Sequence, residues 1–424
     1  MNGDDDVPPI TIPLGHQTST SSLLTLPQMR PLVGDYPEDF IFRVEDTRSR
    51  SLALDFMGVS GLEAEDKHVD RTVADDYLSS FLALVHAFHP ILDRDQLLAS
   101  YEDVMREGLG SDVRSALFLA VLALGATASD PIDDERDHEN GNTGDACMQR
   151  ALRILVPAWM ISFSGDIQLS QGLILCALYF TYVVQPLTAW RLINMASSSI
   201  QQLLIRQVVP FLLSGKGYSR RGFADRWNHN SDILAEFHQP RSGIDVLVDR
   251  MPFPNYGTNP KLEHLCVLAE ISARSLLNRM HHAIYFTDSL TIYAGRALDS
   301  LASSASDTPH PDASLLRICS ELNFQLERWY EALPVDIKPD LFDRTPGNRQ
   351  ACILRLRYWS AKQSIFRPFV VYATGSSFDS GGAEVPSSVI SQCKVCLAAC
   401  RAFLHGAGYL LMERTPYTYS SLQL

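Results

Sequence analysis

The stretch QCKVCLAAC sets three thiols, Cys393, Cys396 and Cys400, within eight positions. A C-x-x-C start is how many zinc sites begin. A structural zinc site needs four converging ligands, usually two from one turn and two from elsewhere. No second C-x-x-C exists, and His405 is the one histidine close by in sequence. Spacings of three and seven put all three thiols on one helix face, beside Ile390, Leu397 and Leu404. Free cysteine packs as a small hydrophobe, so this stripe is expected to face the core, with no metal bound.

A second candidate is IDDERD. Asp133, Asp134 and Asp137 match the D-D-x-x-D pattern with which helical isoprenoid synthases hold magnesium. Adjacent carboxylates on one helix face chelate a hard cation, which then grips a diphosphate. The surrounding SDPIDDERDHENGNTG is polar and rich in Asn and Gly. The second acidic motif such an enzyme needs is not matched by NSDILAEF (230–237). A solvated acidic loop is the expected reading; a magnesium-dependent isoprenoid diphosphate enzyme is the alternative. His86 and His89 stand at i, i+3 without the Glu of H-E-x-x-H, which points to packing or capping at a helix end. His281 and His282 are adjacent and cannot share one helix face. G-x-S-x-G is absent, and SGKG (214–217) lacks P-loop spacing. No catalytic or cofactor-binding residue follows, and no enzyme is expected.

The elements that would position these residues are helical. The chain has 424 residues, 46% hydrophobic and 20% charged, a globular composition. At that length about three quarters of the extended-chain surface is buried. The net charge of −13 opposes nonspecific binding to DNA, where affinity comes from Lys and Arg displacing counterions. The acidic start MNGDDDVPPITIPLG has no signal-peptide features. ALFLAVLALGATA and GLILCALYFTYVV, 13 residues each, fall short of the ~18–20 that span a bilayer, so no membrane partner is expected. Scattered cysteines without a secretory start point to a reducing compartment, cytosol or nucleus.

Residues 1–34, rich in Pro, Ser and Thr, read as a flexible lead-in, and 35–71 as a linker or partly ordered segment. From 72 the period is helical: Tyr77, Phe81, Leu84, Val85 and Phe88 share one face, and Pro90 ends the run. Ser111-Asp112 can cap the next helix, and Asp145 one running through about Trp159. Helices over about 167–184 and 187–205 are split by Gln185-Pro186, which predicts an antiparallel hairpin with Trp190, Ile193, Ser197, Ile200 and Leu204 on one stripe. A loop-rich crossing with a short helix near 231–238 fills 206–260. Helices follow at about 260–284, 287–302, 312–332, 348–366 and 387–406, with a linker at 303–312. The expected fold is all-α, one large domain of about ten helices over 72–406, with a tail at 407–424.

Six ordered segments resemble the regulatory, or middle homology, domain of fungal zinc-cluster transcription factors. DYLSSFLALVHAFHPILDRDQL carries His86 and Pro90, followed by Ile91 and Leu92. SALFLAVLALGATASD is the buried helix after it. A three-helix stretch over 149–203 contains Trp190 and Arg191. SDILAEFHQPRSGI carries Pro240 and Gly243, ELNFQLERWYEALPVDIKP carries Trp329 and Pro334, and LRLRYWSAKQSIFRPFV carries Tyr358, Arg367 and Pro368. The resemblance implies a helical regulatory domain, a nuclear role and control of transcription by RNA polymerase II, for instance of a metabolic or secondary-metabolite pathway. It implies a related factor as homo- or heterodimer partner, a small metabolite as effector, and DNA reached only indirectly. A metabolite- or partner-binding helical module acting in trans is a further alternative. The family's zinc is held by a six-cysteine N-terminal module, whereas the first cysteine here is Cys147. Zinc is therefore not expected in this chain. RRGFADRW (220–227) also departs from the family pattern. These departures imply a truncated gene model or a paralogue that lost DNA binding.

Overall fold

The computed structural model describes residues 23–26, 29–37, 39–47, 69–130, 144–163, 166–214, 260–285, 313–342, 348–374 and 385–418, with the backbone alone at 204–214 and 313–314. Among these residues there is no strand, and the fold is all-α. Short helical pieces at Arg30–Val33 and 40–47 come first. The first half then consists of α1 (Arg71–Phe81), α2 (Arg94–Glu107), α3 (Val113–Ser129), α4 (Asp145–Ile161), α5 (Ile167–Tyr182) and α6 (Pro186–Ser214). The second half holds α7 (Leu262–Tyr285), α8 (Ala313–Glu331), α9 (Arg349–Ala373) and α10 (Ser387–Leu410). The short helix near 231–238, the helix near 287–302 and the linker at 303–312 lie outside the described residues, as does the side chain of Leu204.

Side-chain caps start five of these helices. Asp70, Asp93, Asp112, Asp166 and Asn348 accept from backbone N–H groups of the turn that follows, each worth ~1 kcal/mol. α2 is absent from the expectations above. Its signal is present, with Asp93 as cap and Leu97, Tyr101 and Val104 buried at i, i+4 and i+7.

α3 and α5 are apolar all round because they are central. α3 packs against α1, α4 and α5, and α5 also lies along α6, as the tight Gln185-Pro186 joint predicts. The α1–α3 crossing is a backbone contact. A Cβ placed on Gly125 would sit 1.9 Å from the Tyr77 carbonyl oxygen, so only glycine fits there.

In the second half α9 is the central helix, touching α7, α8 and α10. It runs on to Ala373, past the expected end near 366, with Pro368 inside it. α10 lays Val389, Cys396, Ala399, Phe403 and Gly406 on this assembly. This corrects the expected core stripe: Ile390, Leu397 and Leu404 are 43%, 49% and 60% exposed. The reason is legible in the pairs Val389-Ile390, Cys396-Leu397 and Phe403-Leu404. Two neighbouring stripes, about 100° apart, are both apolar, and the neighbour decides which is buried. α10 is also long and apolar enough, by length and composition, to cross a membrane; its Cys396 face is committed to α9.

Candidate functional site

The residues singled out in the sequence gather at two places. The first is the corner after α1. There the helix widens into one π turn, Leu82–His86; Ala74, Leu78, Phe81 and Val85 are buried, and Leu84 is half-buried. Pro90 has no N–H and cannot extend the ladder. The chain instead bends, with the Ile91 N–H on the His89 carbonyl at 2.8 Å. His86 Nε2 lies 2.9 Å from the Leu92 carbonyl. A carbonyl only accepts, so Nε2 carries the proton. His86 is thus a closing strap for the turn.

This corner is where the two halves meet. The Leu84 carbonyl accepts from the Tyr182 hydroxyl at 3.3 Å and from Arg349 Nη1 at 3.2 Å. The Ala87 carbonyl accepts from Gln350 Nε2 at 3.4 Å. Arg349 stands over the Phe88 ring at 4.8 Å and pairs with Glu413. Phe88 packs against the small core of Cys352, Leu356, Phe403, Leu410 and Tyr417. The Tyr417 ring lies 6.1 Å from the His89 ring and 5.7 Å from the Arg357 guanidinium. Arg357 in turn pairs with Glu270 of α7 at 3.3 Å, both largely buried. Thr415 and Tyr417, beyond the expected end of the domain at 406, are buried.

The second place is the turn of α9 before Pro368. A proline inside a helix leaves the carbonyl four residues earlier without its donor; here that is Ser364. The Tyr285 hydroxyl of α7 donates to it. The carbonyls on either side are also engaged. Cys396 of α10 donates to Gln363 at 3.5 Å, and Cys319 of α8 to Ile365 at 3.2 Å. Three helices therefore dock on three consecutive carbonyls of one turn. Arg367 braces it by donating from Nη2 to Gln363 Oε1 at 2.9 Å. Burial, ahead of the opposing Arg367 charge, pushes the Tyr285 phenol well above its ordinary range, so it stays a donor.

Other candidates are placed as follows. Trp329 donates to Ser272 Oγ at 2.9 Å and ties α8 to α7. The Pro334 carbonyl accepts from Lys338 N at 2.9 Å, closing the turn after α8. Tyr358 donates to Glu327 at 2.9 Å, and Lys362 completes the group. Burial, then the Glu327 hydrogen bond, holds the Tyr358 phenol protonated. Trp190 is half-buried against the first core and Arg191 is exposed. Asp133, Asp134, Asp137, Pro240 and Gly243, with the RRGFADRW stretch, lie outside the described residues. Among the described residues no three His, Cys, Asp or Glu side chains are placed to hold a metal ion. Arg349, Tyr285 and Tyr417 were missed in the sequence. Each acts on a group far away in the chain, and no local spacing marks them.

Residues 78–211 match the family model described as fungal specific transcription factor domain, a span from α1 through the corner into α6. Over 203 residues, 47% of this chain, the sequence is 24% identical to the lactose regulatory protein LAC9 of Kluyveromyces lactis. The matched stretch spans 22% of the length of that protein. No solved structure matches the chain.

Proposed function

We propose, for a chain that carries a fungal-specific transcription factor domain at residues 78–211, that it regulates transcription by relaying a change of state between its two helical halves. The domain is one of transcription factors rather than enzymes. The observation that carries the reading is the corner at His86-Pro90. It lies inside the matched span, and the second half docks on it through Arg349, Gln350 and Tyr417. A joint made of a few hydrogen bonds and the rings of Phe88 and Tyr417 is a place where binding on one side can bias the other.

The finer reading is a nuclear protein acting on genes transcribed by RNA polymerase II, including those of a metabolic or secondary-metabolite pathway. A related factor as dimer partner and a small metabolite as effector belong to the same proposal, with DNA reached through the partner. The similarity to LAC9, a lactose regulatory protein by its name, supports a metabolic target.

The test has two parts. Transcripts are compared between the parent strain and a deletion of the gene. The full chain, wild type or Arg349→Ala, is also fused to an unrelated DNA-binding domain above a reporter. A changed transcript set and a reporter response that Arg349→Ala shifts are the expected results. An unchanged transcript set together with a silent fusion would overturn the proposal.

A further inference from the structure

α10 lies along α9 and leaves its outer side to solvent. That side carries Ile390, Lys394, Leu397, Arg401, Leu404 and Gly408, all exposed. Their steps of four and three repeat every seven residues. At 100° per residue the six fall within about 80° of the helix circumference and extend over about 27 Å. The result is one continuous stripe, with three large aliphatic side chains and a cation between each successive pair.

Two properties of the stripe point to what covers it. The first is charge. The chain has 49 Asp and Glu against 36 Lys and Arg, yet the 24 residues of α10 include no Asp or Glu. Among the described residues neither Lys394 nor Arg401 is in an ion pair. The second is Gly408. Four glycines lie inside helices among the described residues. A Cβ on Gly125, Gly172 or Gly406 would stand 1.9, 3.0 or 2.9 Å from a neighbour, so the packing of the fold calls for glycine there. On Gly408 a Cβ would meet nothing within 4 Å, and its φ is not positive. Glycine weakens a helix relative to alanine. A bare position on an outer face serves the close approach of another backbone.

We propose that the outer stripe of α10 is a docking surface for an acidic amphipathic helix of a partner protein. The partner's aliphatic side chains pack on Ile390, Leu397 and Leu404, its carboxylates pair with Lys394 and Arg401, and its backbone comes closest at Gly408. The seven-residue repeat suits a helix running alongside at a shallow angle of about 20°, in contact along the whole stripe. A second copy of this chain fits less well. A two-fold pair of α10 stripes is self-facing and sets cations against cations with no carboxylate between them. A lipid surface takes up a broad apolar face, whereas here cations interrupt the apolar stripe itself. The surface is a property of α10 and does not rest on the transcriptional reading.

Three helix-stapled peptides of about 20 residues, long enough to cover the stripe, test the proposal. All carry Leu on the same seven-residue repeat, and the flanking positions are Glu in one, Gln in the second and Lys in the third. Each is labelled with a fluorophore, and binding to the full-length protein is read by anisotropy. The Glu peptide should bind at least about tenfold tighter than the Lys peptide, with the Gln peptide between them, and salt should weaken it. Leu397→Gln and Gly408→Gln should each weaken the Glu peptide about tenfold. Both positions are exposed, so the thermal midpoint should stay near that of the wild type. Lys394→Glu together with Arg401→Glu should invert the ranking and make the Lys peptide the tighter ligand. No binding of any peptide, equal binding of all three, or binding that the stripe variants leave unchanged would overturn the proposal. So would a wild-type dimer that Leu397→Gln dissolves, or adsorption to anionic lipid vesicles that the same variant abolishes. The ranking of the three peptides on the wild-type protein decides the matter by itself if a variant does not fold.

Discussion

The Tyr285 hydroxyl supplies the hydrogen bond that Pro368 withholds from the Ser364 carbonyl. A proline inside a helix removes one ladder bond and costs ~3 kcal/mol. Here a side chain from another helix takes the vacant acceptor, and this turn becomes one place where α7, α8 and α10 all meet α9. Arg367 and Pro368, which the sequence singles out through resemblance, thus act as the seat of a tertiary joint.

Removing the donor should expose this dependence. Tyr285→Phe leaves a buried carbonyl unpaired, a loss of about 1–3 kcal/mol in urea unfolding. In the Pro368→Ala background the backbone N–H returns and can bond Ser364 itself, so the same substitution should cost less. The coupling in this double-mutant cycle is the measurement. Additive losses would show that the two residues do not share the carbonyl.

Arg349→Ala should loosen the corner rather than the cores. It removes a charged donor from the Leu84 carbonyl and the cation from Phe88, about 1.5–3 kcal/mol. Amide exchange should quicken between residues 84 and 92 and stay slow within α3 and α5. Arg349→Lys should restore little of this, because one ammonium cannot span Leu84 and Glu413 as the guanidinium fork does.

Gly125→Ala places a methyl where the Tyr77 carbonyl oxygen stands. Separating α1 from α3 should cost at least about 1–3 kcal/mol. Reduced soluble yield or a thermal midpoint lowered by several degrees would register it, while Gly408→Ala, where a Cβ meets nothing within 4 Å, serves as the control.

The two stripes of α10 should respond oppositely. Phe403→Ala empties a buried site and should cost about 3–5 kcal/mol. Leu404→Gln, on the exposed stripe, should stay within about 0.5 kcal/mol. Equal losses by chemical denaturation would reverse the assignment of faces.

Stability should carry the signature of Cys400. Its folded pKa of about 6 lies below the unfolded value near 9, so the folded state binds fewer protons between them. The contribution is lost as pH falls from 9 through 6, and above pH 9 the raised Cys396 thiol acts in the opposite direction. The difference in thermal midpoint between wild type and Cys400→Ser should therefore grow from pH 6 toward pH 9. A flat difference would mean that Cys400 is an ordinary thiol.

Much of the local structure was legible in order along the chain. Aspartate caps such as Asp112, proline stops and 3.6-residue periodicity mark helices because they act within a turn or two of themselves, and the all-α class follows; Asp145, expected as a cap, is instead the first residue of its helix, after Gly144. The buried helices ALFLAVLALGATA and GLILCALYFTYVV declare their central place by being apolar all round. His86 and Pro90 were visible as a motif, although not as the joint between two halves. Tertiary structure alone decided which of two adjacent apolar stripes on α10 is buried, since hydrophobicity is equal on both and only the shape of α9 distinguishes them. It alone brought Tyr285 to Ser364 and Arg349 to Leu84. The acceptors there are backbone carbonyls, which every residue carries alike, so no letter in the sequence announces them.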